Sequence, residues 1–283
     1  MRFMRYRWLY FLFSAIIIIP GIYSLIFWGL KPSIDFTGGS ILEIKNTNLK
    51  ISNNDQIEGI TVNSVQKTGQ GTYLLKFKEI NQAQKDKFIK GLEKKSGKIE
   101  ELRFETIGPV LGKELIRKTF IGVILAAGFI LFFLGYQFKD RLYGICATIA
   151  TFHDSLVILG IFSILGHFMG VEVDTLFVTA ILTSLSFSVH DTVVVYHRIR
   201  ETMKTMPKAD FEQVVDKAVT ETMSRSVNNS LTIIFMLVCL LLLGGETIKW
   251  FVLALLIGTI SGTYSSPFVA TPFLLVFEKL KKK

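Results

Sequence analysis

Six long apolar stretches fix what this chain can fold into. They cover residues 8–28, 120–138, 142–166, 175–196, 226–245 and 250–277, each near the ~20 residues that a helix needs to cross a bilayer. The fifth is the least obvious, because its unbroken apolar part is only 231–243. To span, it must reach back to about Ser226, which draws Asn228, Asn229 and Ser230 into the membrane and sets Arg225 at its edge. Only 19% of the 283 residues are charged, below the quarter or so usual for soluble domains. Cys146 and Cys239 both lie in apolar runs, so no disulfide framework is expected. The first run starts basic and lacks a small-residue cleavage pattern after it, so it reads as a retained anchor.

The net charge of +9 is distributed as a topology signal rather than a nucleic-acid surface. Arg2, Arg5, Arg7, Lys139, Arg141, the 198–225 segment and Lys279 to Lys283 fall on one side; residues 167–174 opposite carry no Lys or Arg. Both termini are therefore expected in the cytosol, and membrane lipid rather than nucleic acid is the expected surroundings. The reading divides the chain into 1–30 (N-terminal end and first span), 31–118 (a domain outside the cytosol) and 119–283 (five further spans and a basic tail), with a cytosolic loop at 197–225. Within 31–118, residues 41–45, 72–77 and 99–106 read as strands, 69–71 as a hairpin turn, and 81–95 as an amphipathic helix whose lysines are solvated. The fold class is thus a polytopic α-helical membrane protein with six spans and a small α+β domain between the first two. Residues 207–222 predict a separate short interfacial helix.

Soluble-enzyme signals are poor. Residues 108–114 are one residue short of a phosphate loop and carry Glu114 where a magnesium-binding hydroxyl belongs, so ATP hydrolysis is rejected and no cofactor is expected. The informative feature is charge inside the spans, where an ionisable group is expensive. Asp154 lies halfway along the third span and Asp191 near the cytosolic end of the fourth, each preceded by a histidine, His153 and His190. Asp191 borders a row of small residues, Ala180, Ser184, Ser188 and Thr192, and the sixth span carries a similar row, Gly258, Gly262, Ser266 and Ala270. Such rows let membrane helices approach closely, so both acids should face protein. Arg225 is the expected cationic partner of Asp191. A carboxylate that pairs with and parts from an arginine is a protonation switch, and a charge crossing the full membrane potential gains about 2.3 kcal/mol per 100 mV. Two His–Asp pairs leave metal binding as an alternative, but adjacent residues on a helix point in different directions and no metal site is assigned.

Several motifs together resemble the protein-export membrane proteins of the SecD/SecF family, on the SecF side. They are residues 34–39 (IDFTGG), 191–201 (DTVVVYHRIRE), 222–226 (TMSRS) and 258–266 (GTISGTYSS), in the family's order along nearly the whole chain. The resemblance implies half of a resistance-nodulation-division bundle, completed by six helices of SecD. It also implies association with the SecYEG channel, exported preproteins, YajC and YidC, in the bacterial cytoplasmic membrane. It implies proton-driven assistance to late translocation, with Asp191 and Arg225 at the positions tied to proton passage and Asp154, His190 and Thr192 beside them. Asp35, Phe36, Gly38 and Gly39 form its motif outside the cytosol. Three places depart from the family pattern: His190 where Asn is common, His197 where Asp is common, and 228–232 (NNSLT) in place of a Thr/Ser-rich start. The alternatives are a half-size proton-coupled exporter of lipids or small molecules, and an intramembrane metalloenzyme; an enzyme is not expected.

Overall fold

The computed structural model of the chain describes residues 3–46, 49, 51–69, 71–138 and 140–281. Gln70 of the predicted hairpin turn, and Arg2, Lys139, Lys282 and Lys283 of the charge pattern, lie outside the described residues. The chain forms two compact units, Pro32–Ile121 and Met1–Lys31 with Gly122–Lys283.

The first of these units is built on a sheet. A one-turn helix α2 (Ile34–Thr37) leads into β1 (Gly39–Lys45), followed by β2 (Gln56–Ile57), β3 (Ile60–Gly69), β4 (Thr72–Phe77), helix α3 (Gln82–Ser96) and β5 (Glu100–Ile107). The strands form one sheet in the order β2-β3-β4-β1-β5, and each pairing is antiparallel. Helix α3 starts at a capping box between Asn81 and Gln84, which satisfies two otherwise unpaired N–H groups. Its Phe88 and Leu92 pack with Leu42, Ile44, Leu75 and Phe77 from alternate positions of β1 and β4. Lys85 departs from the expectation of a solvated helix face. It is only 4% exposed, 2.7 Å from Glu101 and 3.3 Å from Asp86, with its ammonium over the Phe104 ring. Burial opposes its charge, but hydrogen bonds to Glu101 and Asp86 outweigh that and hold its pKa above the ordinary lysine value.

The 34–39 motif is a structural joint. Ser33 caps α2 by accepting from the Asp35 N–H, and Gly38 and Gly39 then take φ of 73° and 130°. A Cβ on Gly38 would lie 2.8 Å from the Pro109 Cα, and one on Gly39 2.8 Å from the Phe77 carbonyl oxygen. Only glycine fits both the angle and the space. Gly112 approaches Phe36 and Gly38 equally closely, so the motif is fitted against the first turn of the next helix, α4 (Pro109–Gln137).

Six helices among the described residues are long and apolar enough to cross a bilayer. A 3₁₀ turn (Phe3–Tyr6) precedes α1 (Arg7–Phe27); α4 is followed by α5 (Arg141–Met169), α6 (Thr175–Thr205), α7 (Phe211–Leu243) and α8 (Glu246–Ser265). Helix α8 passes through a π-helical turn (Ser266–Ala270) into α9 (Thr271–Lys281). Asp140 and Asp174 cap α5 and α6 by accepting from the Leu142 and Phe177 N–H groups, and Gly170 ends α5 in the left-handed conformation. Pro267 lacks an N–H for the helical ladder, and it falls in the π turn.

The separate interfacial helix is not found. Residues 211–222 are the first third of the continuous helix α7. Val214, Val215, Ala218 and Val219 are buried in one cluster with Tyr196 and Leu274 rather than laid on a membrane surface. The apolar period reported a covered face correctly, but the cover is this chain's own α6 and α9.

Candidate functional site

The site is built where α6 and α8 come together. A Cβ on Gly258 would collide with Ser184, and one on Gly262 would sit 3.0 Å from the Ser188 Cβ. The two small-residue rows thus bring two backbones to contact distance, as small residues do in membrane helix pairs. Thr192 and Ser266 continue this seam, with their hydroxyls 3.0 Å apart.

Asp154 of α5 is the most enclosed charged residue here, 1% exposed. Its carboxylate accepts from Ser188 Oγ (2.5 Å), Ser261 Oγ (2.6 Å) and Ser265 Oγ (2.6 Å), and His153 Nδ1 lies 3.0 Å from Oδ1. A carboxylate has about four acceptor sites, so this one is filled by donors from three helices. On the far side of its ring, His153 Nε2 is 3.1 Å from Ser14 Oγ of α1. Ser14 in turn contacts Tyr264 Oη at 3.4 Å, and Tyr264 donates to the Tyr10 carbonyl at 2.9 Å.

Asp191 is provided for differently. It faces protein and is 8% exposed, and Ser226 Oγ of α7 lies 2.7 Å and 2.6 Å from its two oxygens. One hydroxyl has one proton to give, so Ser226 cannot fill both oxygens at once. Arg225 is not its bonded partner. Arg225 is exposed, makes no ion pair among the described residues, and lines a cleft of about 470 Å³ with His197, Arg198, Glu201 and Glu221. The cleft is crossed by Arg198, which holds Glu221 of α7 at 2.7 Å and Glu201 of its own helix at 2.6 Å.

His190 points outward and is exposed, as are Thr179, Thr183 and Ser186 on the same helix and Asn228, Asn229 and Thr232 on α7. Among the described residues no group of three or more His, Cys, Asp or Glu side chains is placed to hold a metal ion. Asp35, Phe36, Gly38 and Gly39 belong to the sheet unit described above. Ser184, although buried at the seam, has a hydroxyl with no hydrogen-bond partner.

The residues that sequence reasoning missed are Ser261, Ser265, Ser226, His153 in its bonded role, Ser14 and Tyr264. Ser261 and Ser265 lie four residues apart, each one position before a member of the Gly262–Ser266 row. The available signal was that a buried acid needs donors, and these hydroxyls share the acid's depth on a neighbouring helix.

Comparison with known proteins gives one consistent result. The family "Protein export membrane protein SecD/SecF, C-terminal" matches residues 87–280. The protein translocase subunit SecF of Thermobaculum terrenum is 42% identical over 97% of this chain and 93% of its own length. That of Anaerolinea thermophila is 36% identical over 96% of this chain and 92% of its own. The crystal structure of SecDF, a translocon-associated membrane protein from Thermus thermophilus, superposes with a TM-score of 0.85 at 26% identity. It covers 99% of this chain, which spans 39% of that longer one.

Proposed function

The chain belongs to the SecF subunits of the SecD/SecF protein-export family, and from that premise we propose that it serves the Sec translocase as an accessory subunit. With SecD, it draws on the proton motive force to assist late translocation of preproteins across the bacterial cytoplasmic membrane. SecYEG and the emerging preprotein are its further partners, with YajC and YidC alongside. Both termini lie in the cytosol, a placement supported by Arg5, Arg7, Arg141, Arg198 and Lys279 gathering at one set of helix ends.

One observation carries the proposal: Asp191 is a protein-facing carboxylate within a span, and its close donors among the described residues are the neutral hydroxyls of Ser226 and Ser266. Such a group has room to take a proton and has a cation, Arg225, one residue from Ser226 to pair with when it gives the proton up. Thr192 lies on the α6–α8 seam beside it, His190 on the outer face, and Asp154 one helix away on the same seam.

The outer face supports a SecD partner. Asn228 and Asn229 are exposed within the fifth span, where lipid tails offer no hydrogen bonds, and His190 and Arg225 are exposed near the cytosolic edge beside them. A second helical bundle with polar side chains of its own would satisfy them. Affinity purification from native membranes at mild detergent should recover SecD in roughly equal amount, and depletion of the chain should slow release of exported proteins. Recovery without SecD, or release at the normal rate after depletion, would contradict the reading.

A further inference from the structure

The sixth span does not run as one continuous α-helix. Pro267 and Pro272 have no N–H to give, so the helical ladder around them is short of donors. The chain answers with the π-helical turn Ser266–Ala270, set between α8 and α9. Side-chain hydroxyls supply bonds here, as they must where lipid offers none. Thr271 Oγ1 donates to the Pro267 carbonyl from within the span, and Tyr196 Oη of α6 donates to the Ala270 carbonyl at 2.9 Å. Thr192, one turn before Tyr196, meets Ser266 Oγ at 3.0 Å. One turn of α6 therefore grips the π turn at its first residue and at its last, and Thr192, Tyr196, Ser266 and Ala270 are all buried.

The two grips differ. Tyr196 is held from both sides, its ring edge-on to Phe138 and Tyr143 with centroids 5.4 Å and 5.2 Å away, and its acceptor is a backbone carbonyl that never changes charge. Ser266 has a choice. Its hydroxyl carries one proton, and within its reach are the Asp191 carboxylate, the Gly262 carbonyl of its own helix at 3.1 Å and the Thr192 hydroxyl at 3.0 Å. The ionised carboxylate is the strongest of these acceptors, because a hydrogen bond to a charged group is about twice as strong as one between neutral groups. Once Asp191 takes a proton that advantage is gone, and the Ser266 proton returns to the Gly262 carbonyl. Few other charges surround the acid. His190 on its own helix is turned outward, Arg225 of α7 stands one residue from Ser226, and Asp154 of α5 is closed in by its own donors. Residues 258–270 of α8 and the π turn carry no Asp, Glu, Lys, Arg or His.

We propose that the π turn Ser266–Ala270 is the joint through which the sixth span responds to Asp191, with Ser266 the positioning residue that changes its hydrogen-bond partner and Tyr196 the pin that does not. Protonation of Asp191 loosens the hold of α6 on the first residue of the turn while the last stays fixed, so the angle between α8 and α9 is free to change. A joint of this kind moves at low cost, since one side-chain bond is exchanged for another and no buried carbonyl is left unpaired. The proposal rests on the proton-coupled reading above and names the place where uptake of a proton becomes movement of backbone.

The test uses the full chain co-expressed with SecD in lipid nanodiscs, with hydrogen exchange of the backbone amides from Ser266 to Thr271 read by mass spectrometry. Asp191→Asn, a neutral stand-in for the protonated acid, should speed exchange there about threefold to fifteenfold, the range for one hydrogen bond within a membrane. Ser266→Ala should do the same, and combining the two should add nothing. Tyr196→Phe should speed exchange by a factor that multiplies with that of Asp191→Asn. Ser188→Ala removes a seam hydroxyl bonded to Asp154 instead and should leave the turn at its native rate, which separates a joint from a general loosening of the seam. An unchanged turn in Asp191→Asn or in Tyr196→Phe overturns the proposal, as do multiplying effects of Asp191→Asn and Ser266→Ala, or equal loosening by Ser188→Ala. Loss of gradient-driven release in Asp191→Asn with an unchanged turn would overturn the joint alone. Release still fully gradient-driven in Asp191→Asn with a loosened turn would overturn the coupling reading and leave the joint standing.

Discussion

Asp154 and Asp191 share one local pattern, an aspartate following a histidine on a membrane helix, yet the fold handles them in opposite ways. At 153–154 both side chains turn inward, and serines from α6 and α8 close around the acid. At 190–191 the histidine turns out, and the acid is met by the hydroxyls of Ser226 and Ser266 near an open cleft, with no ring and no third serine. The first arrangement has its acceptor sites filled and is suited to holding a charge still. The second has acceptor capacity to spare and an unpaired arginine nearby, which is what a group that gains and loses a proton requires. The difference shows that the dipeptide does not set the role. The number of donors that neighbouring helices bring to the acid sets it.

Stability should divide the two centres. Asp154→Leu leaves His153 and three serines without their acceptor, and each buried donor left unpaired costs about 1–3 kcal/mol. Thermal unfolding in detergent should show the variant far less stable, whereas Asp191→Leu, which strands mainly Ser226, should lose much less. Equal losses would erase the contrast. Gly262→Val comes next, because its side chain must enter the space held by Ser188; overpacking of this kind costs about 1–3 kcal/mol, and it should loosen the Asp154 centre before that of Asp191. Ser188→Ala removes one hydrogen bond to Asp154, an effect of about 0.6–1.7 kcal/mol within membranes. Ser184→Ala, one turn away on the same seam, removes a hydroxyl that has no partner and should leave the melting temperature unchanged or slightly raised. A large loss from Ser184→Ala would mean that the seam is held by more than the bonds described.

A last and smallest effect lies in the sheet unit. The Lys85 pKa is raised by Glu101 and Asp86, so its stabilising contribution is complete below the unfolded lysine value near 10.5 and is lost as pH rises through the folded value. Alkaline unfolding should therefore start earlier in the native chain than in Lys85→Met, relative to each at neutral pH. Identical alkaline limbs would contradict the buried ion pair.

Much of this architecture is legible in the sequence. The spans announce themselves by length and hydropathy, strands β1, β4 and β5 by their alternation, and the α6–α8 seam by rows of Gly and Ser at spacing four. Strand β3 is hard to read because its alternation holds only over 60–63 and Val65 falls out of phase, where the pairing with β4 shifts register between Val62 and Ser64. The start of α7 reads as a surface helix in the sequence, since an apolar period reports that a face is covered and not by what. Lys85 sits among seven other lysines from 76 to 98, and nothing in that run marks the one that Glu101 folds over. The donor cage of Asp154 was hidden for a related reason. Its hydroxyls come from residues 14, 188, 261 and 265, and only the tertiary packing places them together.

The most direct measurement is proton-driven preprotein release in vesicles carrying SecYEG, SecD and this chain, compared between the native chain and Asp191→Asn at matched subunit levels. The account predicts that imposing a proton motive force speeds release with the native chain and has no such effect with Asp191→Asn, while release without the gradient is the same for both. Full stimulation by the gradient with Asp191→Asn would contradict it.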